Sequence, residues 1–163
     1  MHLPVRLRRY GFKCAHLGLR IWWFVARPNV SGVKCVITDR GRVLLVRHTY
    51  GQPRWDLPGG TMKRREQPRD TARREMAEEL GITLEGWSDL GTFSGHADHR
   101  HDTLHCFQAE LLDPRLTVDG AEIDEARWFP RNRLPPNLGR YVRQVLALAE
   151  RWAEPTRGSA DPG

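Results

Sequence analysis

The stretch RREMAEELG, residues 73–81, puts Glu75, Glu78 and Glu79 close together near the end of one helix. At about 100° per residue, positions i, i+3 and i+4 share a face, so these carboxylates are neighbours. The C-terminal end of a helix already carries partial negative charge, which makes acidic groups there unfavourable. Two carboxylates about 5 Å apart repel by roughly 3 kcal/mol at an effective dielectric near 20. A helix built only for packing would carry Lys or Arg at these positions. The flanking residues set its limits: Pro68 suits the first helical position, Asp70 the first turn and Gly81 the stop. Ala72, Met76 and Leu80 repeat at i, i+4 and i+8 as a buried stripe, so the spacing predicts a helix over 68–80.

Around this helix the pattern changes period. GVKCVITD and RVLLVRHT are apolar, β-branched runs on either side of Asp39-Arg40-Gly41, which reads as a β-hairpin. YGQPRWDLPGG (50–60) is punctuated by Pro and Gly and reads as loop with short strand pieces. Strand-like segments recur near 83–94, 103–112 and 125–129. Leu138, Tyr141, Val142, Val145, Leu146 and Leu148 give helical spacing over 137–152. Strands and helices are mixed and no internal repeat is visible, so the class is α/β or α+β, with one domain over 29–152. Residues 153–163 read as a disordered tail.

Residues 1–28 are of another kind. Within them, 5–26 form a basic, partly amphipathic helical pattern that ends before Pro28. Residues 1–42 hold nine Lys/Arg against one acid, Asp39, a local charge of +8 in a chain of net charge +6. The expected role of this helix is docking onto the domain or onto the partner in a homodimer. Its Trp22, Trp23 and Phe24 make a membrane surface the alternative, and its charge makes nucleic acid another. Lys13, His16 and Arg20 interrupt the apolar stretch, so a spanning helix is not expected. Three cysteines, Cys14, Cys35 and Cys106, lack CxxC spacing, as in reduced thiols of a cytoplasmic protein.

The window GTMKRREQPRDTARREMAEELGI, residues 60–82, carries the chemistry. Gly60, Glu66 and the run Arg74 to Ile82 stand at the fixed positions of a Nudix box, and the chain resembles the Nudix hydrolase family. WDLPGG before the box and EIDEARWF after it extend the resemblance over roughly residues 31–150. It implies an α/β/α sandwich around a mixed β-sheet. It also implies that Glu75, Glu78 and Glu79 ligate metal, with Glu66 a weaker or water-mediated ligand and Gly60 offering its carbonyl. Hard carboxylate oxygens suit Mg²⁺, or Mn²⁺, rather than Zn²⁺. Arg74 stands where a guanidinium fixes carboxylate orientation. Glu122, six residues before Trp128, stands where relatives place a ligand or general base; Glu75 and Glu122 are the two candidates for the base. Gln67 departs from the family's usual Ser or Thr cap, which concerns stability more than chemistry.

The resemblance implies a small nucleotide as substrate. Arg47, Arg54 and Arg64 approach the box and are expected to hold phosphate. Trp55 either stacks a base or packs. In GHADHRHDTLH, His101 or Asp102 is expected to touch phosphate or sugar, and H-x-x-H-x-H lacks the acid or cysteine spacing of a zinc site. HADHR (96–100) carries neither the proline of ADP-ribose enzymes nor the tyrosine of dinucleoside polyphosphate enzymes. The leading expectation is Mg²⁺-dependent cleavage of a nucleoside diphosphate linked to another group X. MutT-like house-cleaning of nucleoside triphosphates, removal of pyrophosphate from RNA 5′ ends, and a non-catalytic nucleotide-binding domain are the alternatives.

Overall fold

The computed structural model describes residues 29–97, 100–112, 115–118 and 120–157; of these, the side chains at 29, 96, 97, 100, 101 and 154–157 are outside the description. The basic helix expected at 5–26 and Cys14 lie outside the described residues. Strands β1 (Asn29–Asp39) and β2 (Arg42–His48) form the expected hairpin. Its two-residue turn has positive φ at Arg40 (46°) and Gly41 (78°), the geometry that matches strand twist. β3 is the two-residue Trp55–Asp56, followed by helix α1 (Pro68–Leu80), β4 (Ser88–Ala97), β5 (Arg100–Glu110), β6 (Ile123–Pro130) and helix α2 (Val142–Arg157).

The sheet is mixed: β1 pairs β5 in parallel over ten positions, and every other pairing is antiparallel. Its order is β3-β2-β1-β5-β4, with β6 on β2. β1 and β2 pair only at Thr38↔Val43 and Asp39↔Arg42 before they splay apart. The Pro58–Met62 segment enters the gap and takes the vacated edge of β1. Cys35 N–H donates to Pro58 O at 2.9 Å, Val33 N–H to Gly60 O at 2.8 Å, and Met62 N–H to Ser31 O at 3.0 Å. The backbone groups of a central strand are thereby satisfied by a loop.

Alternation along the strands divides the core in two. Val33, Cys35, Ile37, Leu44 and Val46 face α1, where Ala72, Met76 and Leu80 are fully buried. Val36, Val43, Leu45, Leu104 and Cys106 face α2, against Val142, Val145, Leu146 and Ala149. The architecture is the expected α/β/α sandwich.

Three boundaries differ from the sequence reading. Residues 82–87 are not strand; Ile82, Leu84 and Trp87 are buried from an irregular segment, and β4 begins at Ser88. α2 begins at Val142, because Leu138 pairs with Trp55 in an isolated bridge and Tyr141 lies in the preceding turn. The same helix continues to Arg157, five residues beyond the expected end.

Candidate active site

Helix α1 brings its carboxylates to the sheet because both ends are closed by backbone. Gln67 caps in extended conformation without a side-chain bond, and Pro68 opens the helix. At the far end Gly81 adopts φ 65°, and its N–H and that of Ile82 return to the carbonyls of Ala77 and Met76 at 3.2 Å. No basic residue lies in the last turn. The cation that serves the carboxylates is Arg74, from the middle of the helix.

Arg74 is bonded to three glutamates. Nε and Nη2 donate to the two oxygens of Glu66 at 2.8 and 3.0 Å, and Nη1 donates to Glu75 Oε1 at 2.7 Å and Glu78 Oε2 at 3.0 Å. This fork fixes Glu75 and Glu78 in direction. The same fork takes hold of Glu66. Both its oxygens are spoken for, Oε2 also accepts from Lys63 N–H at 2.9 Å, and its carboxyl is held at about 2, mainly by the bond from Arg74. Glu66 anchors the arginine and does not reach the cavity wall.

That wall encloses about 420 Å³ and includes Lys34, His48, Tyr50, Gly60, Lys63, Arg74, Glu75, Glu78, Asp102, Leu104 and Glu122. Glu75 is 9% exposed and Glu79 3%. Burial raises the Glu75 carboxyl above the usual carboxylate range, with Arg74 opposing. Burial raises Glu79 further, with the charges of Glu75 and Glu122 adding to it and Lys34 opposing. Among the described residues, a 3.4 Å bond from Gly59 N–H is the one hydrogen bond directed at Glu79. The site thus gathers more carboxylates than Arg74 and Lys34 offset, on hard oxygen donors, and this fits a divalent cation.

Glu122 arrives from the opposite side. The segment after β2 holds it: Thr49 N–H donates to Glu122 O at 2.9 Å, Thr49 Oγ1 to Ala121 O at 2.6 Å, and Tyr50 OH to Glu122 Oε1 at 2.9 Å. One oxygen each of Glu79 and Glu122 and one ring nitrogen of His48 lie within 4.8 Å of one another. Burial and the charge of Glu122 push the Tyr50 phenol well above its ordinary range, so it stays a donor.

Gly60 is needed for close approach. A Cβ there would stand 2.3 Å from the Glu75 carboxyl carbon, so the carboxylate occupies the space a side chain would fill. Its carbonyl oxygen accepts the Val33 N–H within the sheet.

The substrate residues proposed from sequence divide. Asp102 is in the wall, 4% exposed, and accepts a bond from Tyr141 OH at 3.2 Å. The backbone of His101 pairs with Asn29 and His96; its side chain is outside the described residues. Arg47, Arg54, Trp55 and Arg64 are not in the wall. Arg54 and Arg64 are exposed. Arg47 shares the strand face of Val43 and Leu45 and pairs with Asp124 and Glu125, each at 3.0 Å. Trp55 is 6% exposed, edge-on to Phe129 at 5.0 Å, with the guanidinium carbons of Arg47 and Arg127 5.4 and 5.6 Å from its ring centre. No face is left for a base to stack on, so of the two readings of Trp55 packing is the one realised.

His48, Tyr50, Lys34 and Lys63 were missed. For His48 the signal was available: it is two residues beyond Val46 and four beyond Leu44, on the strand face that packs against α1.

The NUDIX domain family model matches residues 28–149. The chain is 29% identical over 111 residues to a putative 8-oxo-dGTP diphosphatase of Bacillus subtilis (strain 168), covering 66% of this chain and 72% of that protein. It is 28% identical over 149 residues to the NAD-capped RNA hydrolase NudC of Pseudomonas syringae pv. syringae, covering 87% of this chain and 51% of that protein. The crystal structure of a MutT NUDIX hydrolase from Burkholderia pseudomallei superposes with a TM-score of 0.68 at 26% identity, over 74% of this chain and 97% of that one.

Proposed function

Because the chain belongs to the NUDIX family of pyrophosphohydrolases, we propose that it hydrolyses the pyrophosphate bond of a nucleoside diphosphate linked to another group X, with a divalent cation, Mg²⁺ or Mn²⁺, as cofactor. The observation that carries this reading is the joining of Glu75, Glu78 and Glu122 around one cavity, with Arg74 holding two of them and buried Glu79 within 4.8 Å of Glu122 behind the wall. A divalent cation at these carboxylates offsets phosphate charge and acidifies a water molecule. Glu75 takes the proton from the attacking water: it is fixed by Arg74 and faces the cavity. Tyr50 OH holds Glu122 by Oε1. Displacement at phosphorus needs positioning and charge stabilisation, so no Cys or Ser nucleophile is required.

The cations of the wall favour a diphosphate diester over a terminal triphosphate. Lys34 is bonded to Asp56 at 3.0 Å and to Leu57 O at 3.1 Å, and Arg74 is taken by its glutamates, leaving Lys63 at the exposed rim. A triphosphate brings about two more negative charges into a site that is already acidic. Asp102, buried and acceptor-only when ionised, suits a sugar hydroxyl or a base amino group.

The relative named for 8-oxo-dGTP supports the second reading, a nucleoside triphosphate substrate. Product analysis over nucleotide sugars, ADP-ribose, deoxynucleoside triphosphates and capped RNA separates the two. Two monophosphate products are expected. Monophosphate plus inorganic pyrophosphate would establish the triphosphate reading, and turnover that survives EDTA would overturn both.

A further inference from the structure

We propose that His48 is a nitrogen ligand in this metal site, and that with Glu79 and Glu122 it makes a mixed nitrogen–oxygen centre that selects Mn²⁺ over Mg²⁺. The inference rests on the reading that these glutamates hold a divalent cation, and it changes the donor set. One His48 nitrogen and one oxygen each from Glu79 and Glu122 lie within 4.8 Å of one another. Donors around one cation with bonds of about 2.1 Å stand about 3.0 Å apart when adjacent and about 4.2 Å when opposed, so inward side-chain rotations bring all three to a single ion.

Two features aim the imidazole there, and a third bends β6 beside Glu122. The period of β2 puts His48 on the face of Leu44 and Val46, toward Glu79 on α1. The β2–β6 pairing shifts register between Arg47 and His48, which pair with Glu125 and Ile123 and leave Asp124 as the extra residue. Such a bulge bends its strand and re-aims side chains, and here it lies between His48 and Glu122. The Tyr50 ring lies 5.1 Å from that of His48 and bonds Glu122, so one residue orients both donors.

Imidazole is a poor partner for Mg²⁺, which prefers water and carboxylate, and a better one for first-row transition ions, of which Mn²⁺ is the one that also suits the carboxylates beside it. The nitrogen therefore adds affinity for Mn²⁺ and little for Mg²⁺. The test is electron spin echo spectroscopy of the full chain loaded with one equivalent of Mn²⁺, with Mn²⁺ and Mg²⁺ affinities measured by titration calorimetry. Wild type should show ¹⁴N modulation from a coordinated imidazole and bind Mn²⁺ at least tenfold more tightly than Mg²⁺. His48→Phe, which keeps a ring against Tyr50, and His48→Asn should lose the modulation and most of the preference. Circular dichroism in EDTA verifies their fold. Mn²⁺ binding without ¹⁴N modulation, or modulation that persists in a folded variant, would overturn the role of His48 and leave the glutamate site standing. No Mn²⁺ binding by wild type would overturn both.

Discussion

Replacing Glu79 by Gln should raise the melting temperature of the metal-free protein. Glu79 is 3% exposed, and one of its oxygens lies within 4.8 Å of one on Glu122. Two charges at that distance repel by roughly 3 kcal/mol at an effective dielectric of 20. Water around half-buried Glu122 screens part of this, leaving about 1–2 kcal/mol. Gln keeps the shape and an acceptor for the Gly59 N–H. In a chain of this size about 1 kcal/mol moves the melting temperature by about 2–4 °C, so the gain should be about 2–8 °C. The sign with pH follows from the raised Glu79 carboxyl. Its stability contribution is complete below the unfolded carboxyl pKa and is lost as pH rises through the higher folded value. Wild type should therefore fall below Glu79→Gln increasingly between pH 5 and pH 8. Differential scanning calorimetry in EDTA at both values is the assay. A variant that melts no higher than wild type at pH 8, or a gap that widens toward pH 5, would refute the account.

Arg74→Lys replaces a fork that holds Glu66, Glu75 and Glu78 with a single point charge. Turnover should fall on the order of tenfold to a hundredfold by steady-state kinetics, as expected for supports of metal ligands. Gly60→Ala drives a methyl group against the Glu75 carboxylate, and calorimetry should find weaker metal binding together with a destabilisation of about 1–3 kcal/mol. Cys35 and Cys106 are buried, and burial keeps both thiols protonated, Cys106 pushed up to about 11. Alanine at both positions should leave turnover near wild type, whereas loss of activity in a folded variant would place a thiol in the chemistry.

Helix α1 was legible to the residue because its signals are local: Pro68 opens it, Gly81 closes it, and Ala72, Met76 and Leu80 repeat along one face. The spacing of Glu75, Glu78 and Glu79 was legible for the same reason. What depends on strand parity and distant partners was not. Arg47 and His48 are adjacent in sequence, yet one step along a strand reverses the side chain. Arg47 therefore meets Trp55 and the acids of β6, and His48 meets the cavity. Charge made Arg47 the attractive choice, but only its neighbours across the sheet decide which face it takes. Glu66 hid its contact with Arg74 in the same way. Its position in the motif is compatible with a ligand, and its capture by Arg74 depends on a loop that carries it back over the helix. Leu138 and Tyr141 carried the spacing of a helix that starts only at Val142, since apolar spacing does not separate a helix from a turn packed against it.

The splayed hairpin has a kinetic meaning. Where β2 departs, the edge of β1 is closed by Pro58–Met62 through three backbone hydrogen bonds of 2.8–3.0 Å. Moving that segment would expose unpaired amides of a central strand, so it opens only when the sheet itself comes apart. The floor of the cavity is therefore as slow to fluctuate as the core. Traffic into and out of the site passes over the rim, where Lys63 stands exposed. Residence time is then governed by that rim, and the glycine loop acts as a fixed reference against which Glu75 is aligned.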